Sequence, residues 1–192
     1  MLVIGHDTVN DKRVNILNYE APALAVIKRG DSLKYNATPQ FFLPNLDMWP
    51  VGSAERLIHG CWLLSIMRLH TFTNECGETL QETYNEINHK ISVNTVYIDL
   101  ISLGENYRNA SQILNIIRGN EQPTWVWFTN CDALLDTSLA GWLRSILTTS
   151  DMEHVRVVFL LDNKNQYREI FQKYSLPLYR STTILNNIKR NI

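Results

Sequence analysis

The sequence predicts an α/β fold: a three-layer sandwich on a mainly parallel five-stranded sheet, with helices on both faces and an added amino-terminal β-hairpin. Two observations carry that prediction. Strand-like and helix-like segments alternate from residue 40 to residue 185, and parallel strands need helical crossovers, which are right-handed. Trp125-Val126-Trp127-Phe128 is apolar at every position, as in a central strand covered on both faces. The chain reads as one domain, with a β extension over 1–39, an α/β core over 40–185 and a short tail over 186–192.

Taken in order, Ala23 to Ile27 and Leu33 to Tyr35 flank Gly30-Asp31, a hairpin signal. Phe41-Phe42-Leu43 is a short apolar strand, followed by a Pro-bounded loop, Pro44 to Gly52. Ser53 is placed as an N-cap, with Glu55 in the first turn of one long helix carrying Leu57, Ile58, Cys61, Trp62, Ile66 and Leu69. A polar helix over 75–90 should be exposed. A strand at 95–100 comes next, then an amphipathic helix over about 106–118 stopped by Gly119. Trp125 opens the central strand. Leu139, Trp142, Leu143, Ile146 and Leu147 mark a helix, Val155 to Leu161 a strand, Tyr167, Ile170, Phe171 and Tyr174 a helix, and Leu178 to Leu185 a last strand.

Composition narrows the function classes. With 18 basic and 19 acidic residues the net charge is −1, so the chain lacks the overall basic field of a protein held to nucleic acid mainly by phosphate contacts. Nucleic acid is thus possible as a partner but not indicated by charge. No apolar run approaches the roughly 18 residues of a membrane span, and the amino terminus has no signal-peptide pattern. Cys61, Cys76 and Cys131 are too few and scattered for a disulfide framework or zinc knuckle. A soluble protein of the reducing cytoplasm is the expectation, with no metal or cofactor.

In an open parallel sheet, ligands bind beyond the carboxyl ends of the strands. The segments expected there are Pro44 to Ser53, Thr129 to Asp132 and Asp162 to Asn165. The run Thr124 to Asp136, a strand, an acidic turn and then a helix, is similar to a Walker B strand; Val155 to Leu161 ending at Asp162-Asn163 is similar to the strand bearing a sensor-1 polar residue. Over residues 40–185 the order of parts resembles the P-loop nucleoside-triphosphatase core, particularly its AAA+ and STAND branches. That resemblance implies a phosphate loop after the first strand. It also implies that the strand starting at 155 lies between those starting at 40 and 125.

The expected loop lacks the chemistry. A P-loop needs glycines for close backbone approach, a Lys for the β/γ-phosphates and a Ser/Thr hydroxyl for Mg²⁺. With Gly52 as the last glycine of the motif, Ser53 stands for Lys, Ala54 for Ser/Thr and Asp47 for the first glycine. Thr129 replaces the Walker B aspartate, leaving Asp132 as the nearest acid, and Asn163 as the sensor-like group. Each has a plainer use: Ser53 and Asn163 as helix caps, Asp132 as a turn residue.

These residues point to a degenerate site in a catalytically inactive domain acting as a regulatory, adaptor or scaffold protein. Met48 and Trp49, in the loop before Pro50, are the candidate interface for a protein partner or a second copy. The resemblance implies partners such as an active ATPase, or a place in nucleic-acid processing or a large bacterial assembly. Two alternatives stand beside it: a nucleotide-binding protein with a nonstandard phosphate loop, and a metal-dependent nuclease using Asp99, Asp132 and Asp162.

Overall fold

The computed structural model describes residues 44–119, 122–149 and 152–185. The expected strand at 41–43 and the amino-terminal hairpin lie outside them. The first described segment is a single 3₁₀ turn, Leu46–Met48. Pro50 to Ser53 then closes a tight turn in which the Ser53 amide donates to the Pro50 carbonyl at 3.1 Å. Gly52 occupies its third position at φ 86°, a conformation that favours glycine.

Helix α1 (Ala54–Leu63) begins where the sequence places it, with Ser53 Oγ accepting from the Arg56 amide at 3.2 Å. Its end corrects the expectation of one helix reaching Leu69. Ser65 turns into the left-handed region at φ 52°; its amide donates to the Trp62 carbonyl and the Ile66 amide to the Cys61 carbonyl. That is the Schellman pair of bonds, which usually has Gly rather than Ser at the left-handed position. The chain then straightens into β1 (Arg68–Phe72). His59 and His70 therefore lie on different elements.

Helix α2 (Glu78–Lys90), β2 (Asn94–Asp99), α3 (Ser111–Arg118), β3 (Thr124–Thr129), α4 (Thr137–Thr149) and β4 (Val155–Leu161) follow. Helix α5 (Lys164–Tyr167) continues as a π-helical turn, Arg168–Gln172. The last strand, β5, is only Thr183–Ile184, far shorter than the expected 178–185. Helix α2 is not the exposed helix its polarity predicts: Gln81, Tyr84, Ile87 and Asn88 are buried along one stripe.

All five strands are parallel, in the order β2-β3-β4-β1-β5. β4 thus lies between β1 and β3. Successive strand residues point to opposite faces, so Trp125 and Trp127 join Leu69 and Val158 in a core under α1 and α2. Val126 and Phe128 join Phe72, Val157 and Phe159 in a core under α3, α4 and α5. The three-layer α/β arrangement follows from this alternation. Among the described residues no helix is long and apolar enough to cross a membrane.

Arg156 is the exception within the core. It is 1 % exposed, and its guanidinium donates to the carbonyls of Cys61, Trp62, Glu153 and Val155 at 3.0–3.3 Å. Two of those carbonyls belong to the last turn of α1, where a cation also meets the negative end of the helix dipole. The same group lies 4.4 Å over the Trp62 ring. Burial brings its pKa down to about 10, so it remains a cation.

Candidate functional site

The carboxyl end of the sheet gathers the segments after β1, β3 and β4. β1 stops at Phe72, and Thr73 to Gly77 leads into α2. This loop is tied down by its own backbone. The Thr73 amide donates to Leu161 O at 2.8 Å, and the Glu75 and Cys76 amides both donate to Phe72 O at 2.9 and 2.8 Å. Gln81 Nε2, itself buried, donates to Cys76 O at 2.8 Å. Burial pushes the Cys76 thiol up to about 12, so it stays protonated and is no nucleophile.

After β3, Asn130 takes a left-handed conformation (φ 52°) and opens a 3₁₀ segment, Cys131–Leu135. Asp132 lies in that segment. Its Oδ1 accepts from Gln166 Nε2 at 2.6 Å, and Gln166 Oε1 accepts from the Asp162 amide at 2.7 Å. The Gln166 amide in turn donates to Asn163 Oδ1 at 3.0 Å, alongside that of Asn165 at 2.9 Å. Asp132 and Asn163 therefore do come together, through Gln166, a residue that is 5 % exposed. The link fastens the exit of β3 to the start of α5.

Thr129, paired in register with Asp99, makes only a long 3.4 Å contact from its hydroxyl to Ile98 O. The half-buried Asp99 carboxylate accepts from the Ile101 amide at 2.9 Å; a bond from the Asn130 side chain holds it below the usual carboxylate range, helped by backbone amides. Among the described residues no group of three or more His, Cys, Asp or Glu side chains could hold a metal ion.

Among the described residues Gly52 and Ser53 precede α1, and the first strand, β1, follows that helix; the strand expected at 41–43 lies outside them. The strand β1 went unforeseen because the chain reverses at Ser65 without a glycine to announce it. The Met48–Ser53 segment instead docks on α1. The Trp49 ring lies 4.2 Å from that of His59, Arg56 Nη1 donates to Trp49 O at 3.1 Å, and Arg56 pairs with Asp47 at 3.8 Å. Trp49 is half-buried, whereas Met48 and Val51 are 73 % and 82 % exposed.

Sequence reasoning missed Thr73–Gly77 and Gln166. The first left a trace: Gly77-Glu78-Thr79 has the spacing of the glycine and hydroxyl of a phosphate loop. Gln166 left none, because a single Gln in a helix carries no motif. No family model, curated protein or solved structure matches this chain.

Proposed function

We propose that the chain is a catalytically silent P-loop-like domain that works through protein contacts, as a regulatory, adaptor or scaffold component. The strand order supports it: β4 lies between β1 and β3, which suits the P-loop resemblance if β1 (Arg68–Phe72) takes the place expected for the strand at 40, itself outside the described residues. So does the succession of β1, a short loop and α2, the strand–loop–helix order of a phosphate-binding motif. Aligning Gly77 with the motif's last glycine puts Thr79 at the hydroxyl position, Glu78 at the lysine and Phe72 at the first glycine.

The observation that carries the proposal is the state of this loop. A phosphate cradle works by pointing backbone amides at the anion, and here three of the loop's amides, those of Thr73, Glu75 and Cys76, donate within the protein. Phe72, 4 % exposed, fills the core where a glycine would let backbone approach a phosphate. The exposed Glu78 adds a negative charge where a positive one is needed. At the β3 exit one oxygen of Asp132, Oδ1, is taken up by Gln166.

The interface we assign is the Met48–Val51 segment, whose exposed apolar side chains have no role in the fold. A protein partner or a second copy of the chain is its occupant. Sedimentation and pull-down of Met48→Glu and Trp49→Ala provide the test. Met48→Glu should weaken association at least about tenfold with an unchanged thermal midpoint. Trp49→Ala should weaken it too, with a stability loss of about 1 kcal/mol or less from the His59 contact. Unaltered association in both variants would remove this interface. ATP or GTP turnover above background that Asp132→Ala abolishes would overturn the silent site.

A further inference from the structure

At the β5 edge of the sheet a groove of about 470 Å³ runs between β1, β5 and α5. One wall is a row at four-residue spacing, Lys164, Arg168 and Gln172; the other is Thr182 and Ile184; His70, Phe72 and Tyr167 form the floor. Among the described residues no carboxylate lines it.

The floor is rigid. His70 is 5 % exposed, its ring stacks on Tyr167 at 4.3 Å and 18°, and its Nδ1 lies 3.0 Å from Thr182 Oγ1. The rim is open. β5 is the edge strand, and the Leu185 amide donates to His70 O at 2.7 Å. Backbone groups alternate in direction along a strand, so the N–H and C=O of Ile184 point outward, away from β1. Among the described residues β5 pairs with β1 alone, and Ile184 is 46 % exposed.

We infer that this groove is a strand-addition site for an extended acidic peptide of a partner protein, its backbone pairing with the outer edge of β5 and its alternate carboxylates facing Lys164 and Arg168. The spacings agree. Side chains on one face of a strand repeat every two residues, about 6.6–6.8 Å, and Lys164 and Arg168 stand about one turn apart, where α5 passes into its π-helical continuation. A peptide with acids at every second position therefore presents one carboxylate to each cation. Ile184 is in register with His70, so both side chains lie on the α5 face of the sheet, and a residue added opposite Ile184 lies there too. The backbone edge is what favours a peptide over a phosphate-bearing ligand: an added strand uses its donors and acceptors as a ladder, whereas a nucleic acid would find two cations among the described lining residues of a chain of net charge −1. The groove shares Phe72 with the loop aligned above to a phosphate motif and Lys164 with the segment after β4, but the residues that would meet the peptide, Lys164, Arg168 and Ile184, have no part in the phosphate-site reading.

The test is fluorescence anisotropy of the full chain with a fluorescein-labelled peptide, Gly-Thr-Glu-Val-Glu-Val-Glu-Thr-Gly. Three comparison probes are used: the same peptide with Lys for Glu, the same peptide with Pro for the central Val-Glu-Val valines, and an oligothymidylate. Saturable binding near 100 µM or tighter is expected, roughly, weakening at least about fivefold in 0.5 M salt. Lys164→Glu and Arg168→Glu should each weaken it about fivefold or more, and these exposed substitutions should leave the melting curve unchanged. The Lys and Pro peptides should bind about tenfold more weakly than the acidic one. Absence of saturation at about 1 mM peptide, equal binding of the Lys or Pro peptide, or tighter binding of the oligothymidylate would each overturn the inference. Loss of association in Met48→Glu with peptide binding retained would separate this surface from the other interface.

Discussion

Against α1 and α2 the sheet presents Trp125, Trp127, Leu69 and Val158, and polar groups stitch that contact. Trp62 Nε1 donates to Asn88 Oδ1 at 2.9 Å, Trp127 Nε1 to Asn85 Oδ1 at 2.9 Å, and Arg156 to the end of α1. Against α3, α4 and α5 the sheet presents Val126, Phe128, Val157 and Phe159, and the contact is closed by Ile113, Ile117, Leu143, Ile146 and Phe171. One face thus depends on which atoms meet, the other on how much apolar volume is filled. Substitutions that conserve volume but remove polar atoms should separate the two.

The largest effect is expected at Arg156. Arg156→Met keeps much of the side chain's bulk but removes the guanidinium donor from four carbonyls, of which those of Cys61 and Trp62 keep a backbone donor, and should cost about 3 kcal/mol. Phe159→Leu, on the opposite face, should cost about 1.5 kcal/mol or a little more. Urea unfolding of both variants measures the contrast; equal losses would mean that polar stitching adds nothing special to the first face. Next comes Asn88→Ala, which strips Trp62 Nε1 of its acceptor and the Tyr84 carbonyl of its donor, for about 2 kcal/mol.

A smaller effect is expected from pH. Burial lowers the His70 pKa from 6.5 to about 4. The unfolded chain therefore binds more protons between those values, so stability is full above about pH 6.5 and falls as pH drops toward about 4. Allowing for solvent screening at the groove mouth, the loss is on the order of 1–2 kcal/mol. His59 is shifted the same way by burial, opposed by Glu55, and adds to the slope. Denaturant midpoints across that window should flatten in His70→Gln; an unchanged slope would assign the effect elsewhere. Smallest of all is Tyr84→Phe. The Tyr84 hydroxyl is buried with no hydrogen-bond partner, so its removal should be neutral or slightly stabilising in the same unfolding assay.

The contrast between the faces also explains what the sequence made legible. Strands β3 and β4 and helix α4 carry their burial in unbroken apolar runs or stripes, and all three were found. The α1–β1 junction was not. Ile66, Met67 and Leu69 continue the apolar run of α1, and the reversal rests on Ser65 in a conformation usually given to glycine. The buried stripe of α2 was hidden because Gln81 and Asn88 are polar, and their burial depends on partners from Cys76, Trp62 and the helix itself. The site suffered from the same junction: with β1 read as helix, Gly77-Glu78-Thr79 had no strand before it. Ser53 and Asn163, by contrast, do act as helix caps, because a cap is a local property that a few residues specify.

Calorimetric titration of the full chain with ATP and Mg²⁺ tests most directly the proposal that the loop between β1 and α2 is a silent counterpart of a phosphate loop. No saturable heat is predicted up to about 1 mM nucleotide, because the amides of Thr73, Glu75 and Cys76 are already engaged and Glu78 opposes the anion. One-to-one binding tighter than about 100 µM that disappears in Thr79→Ala would contradict it.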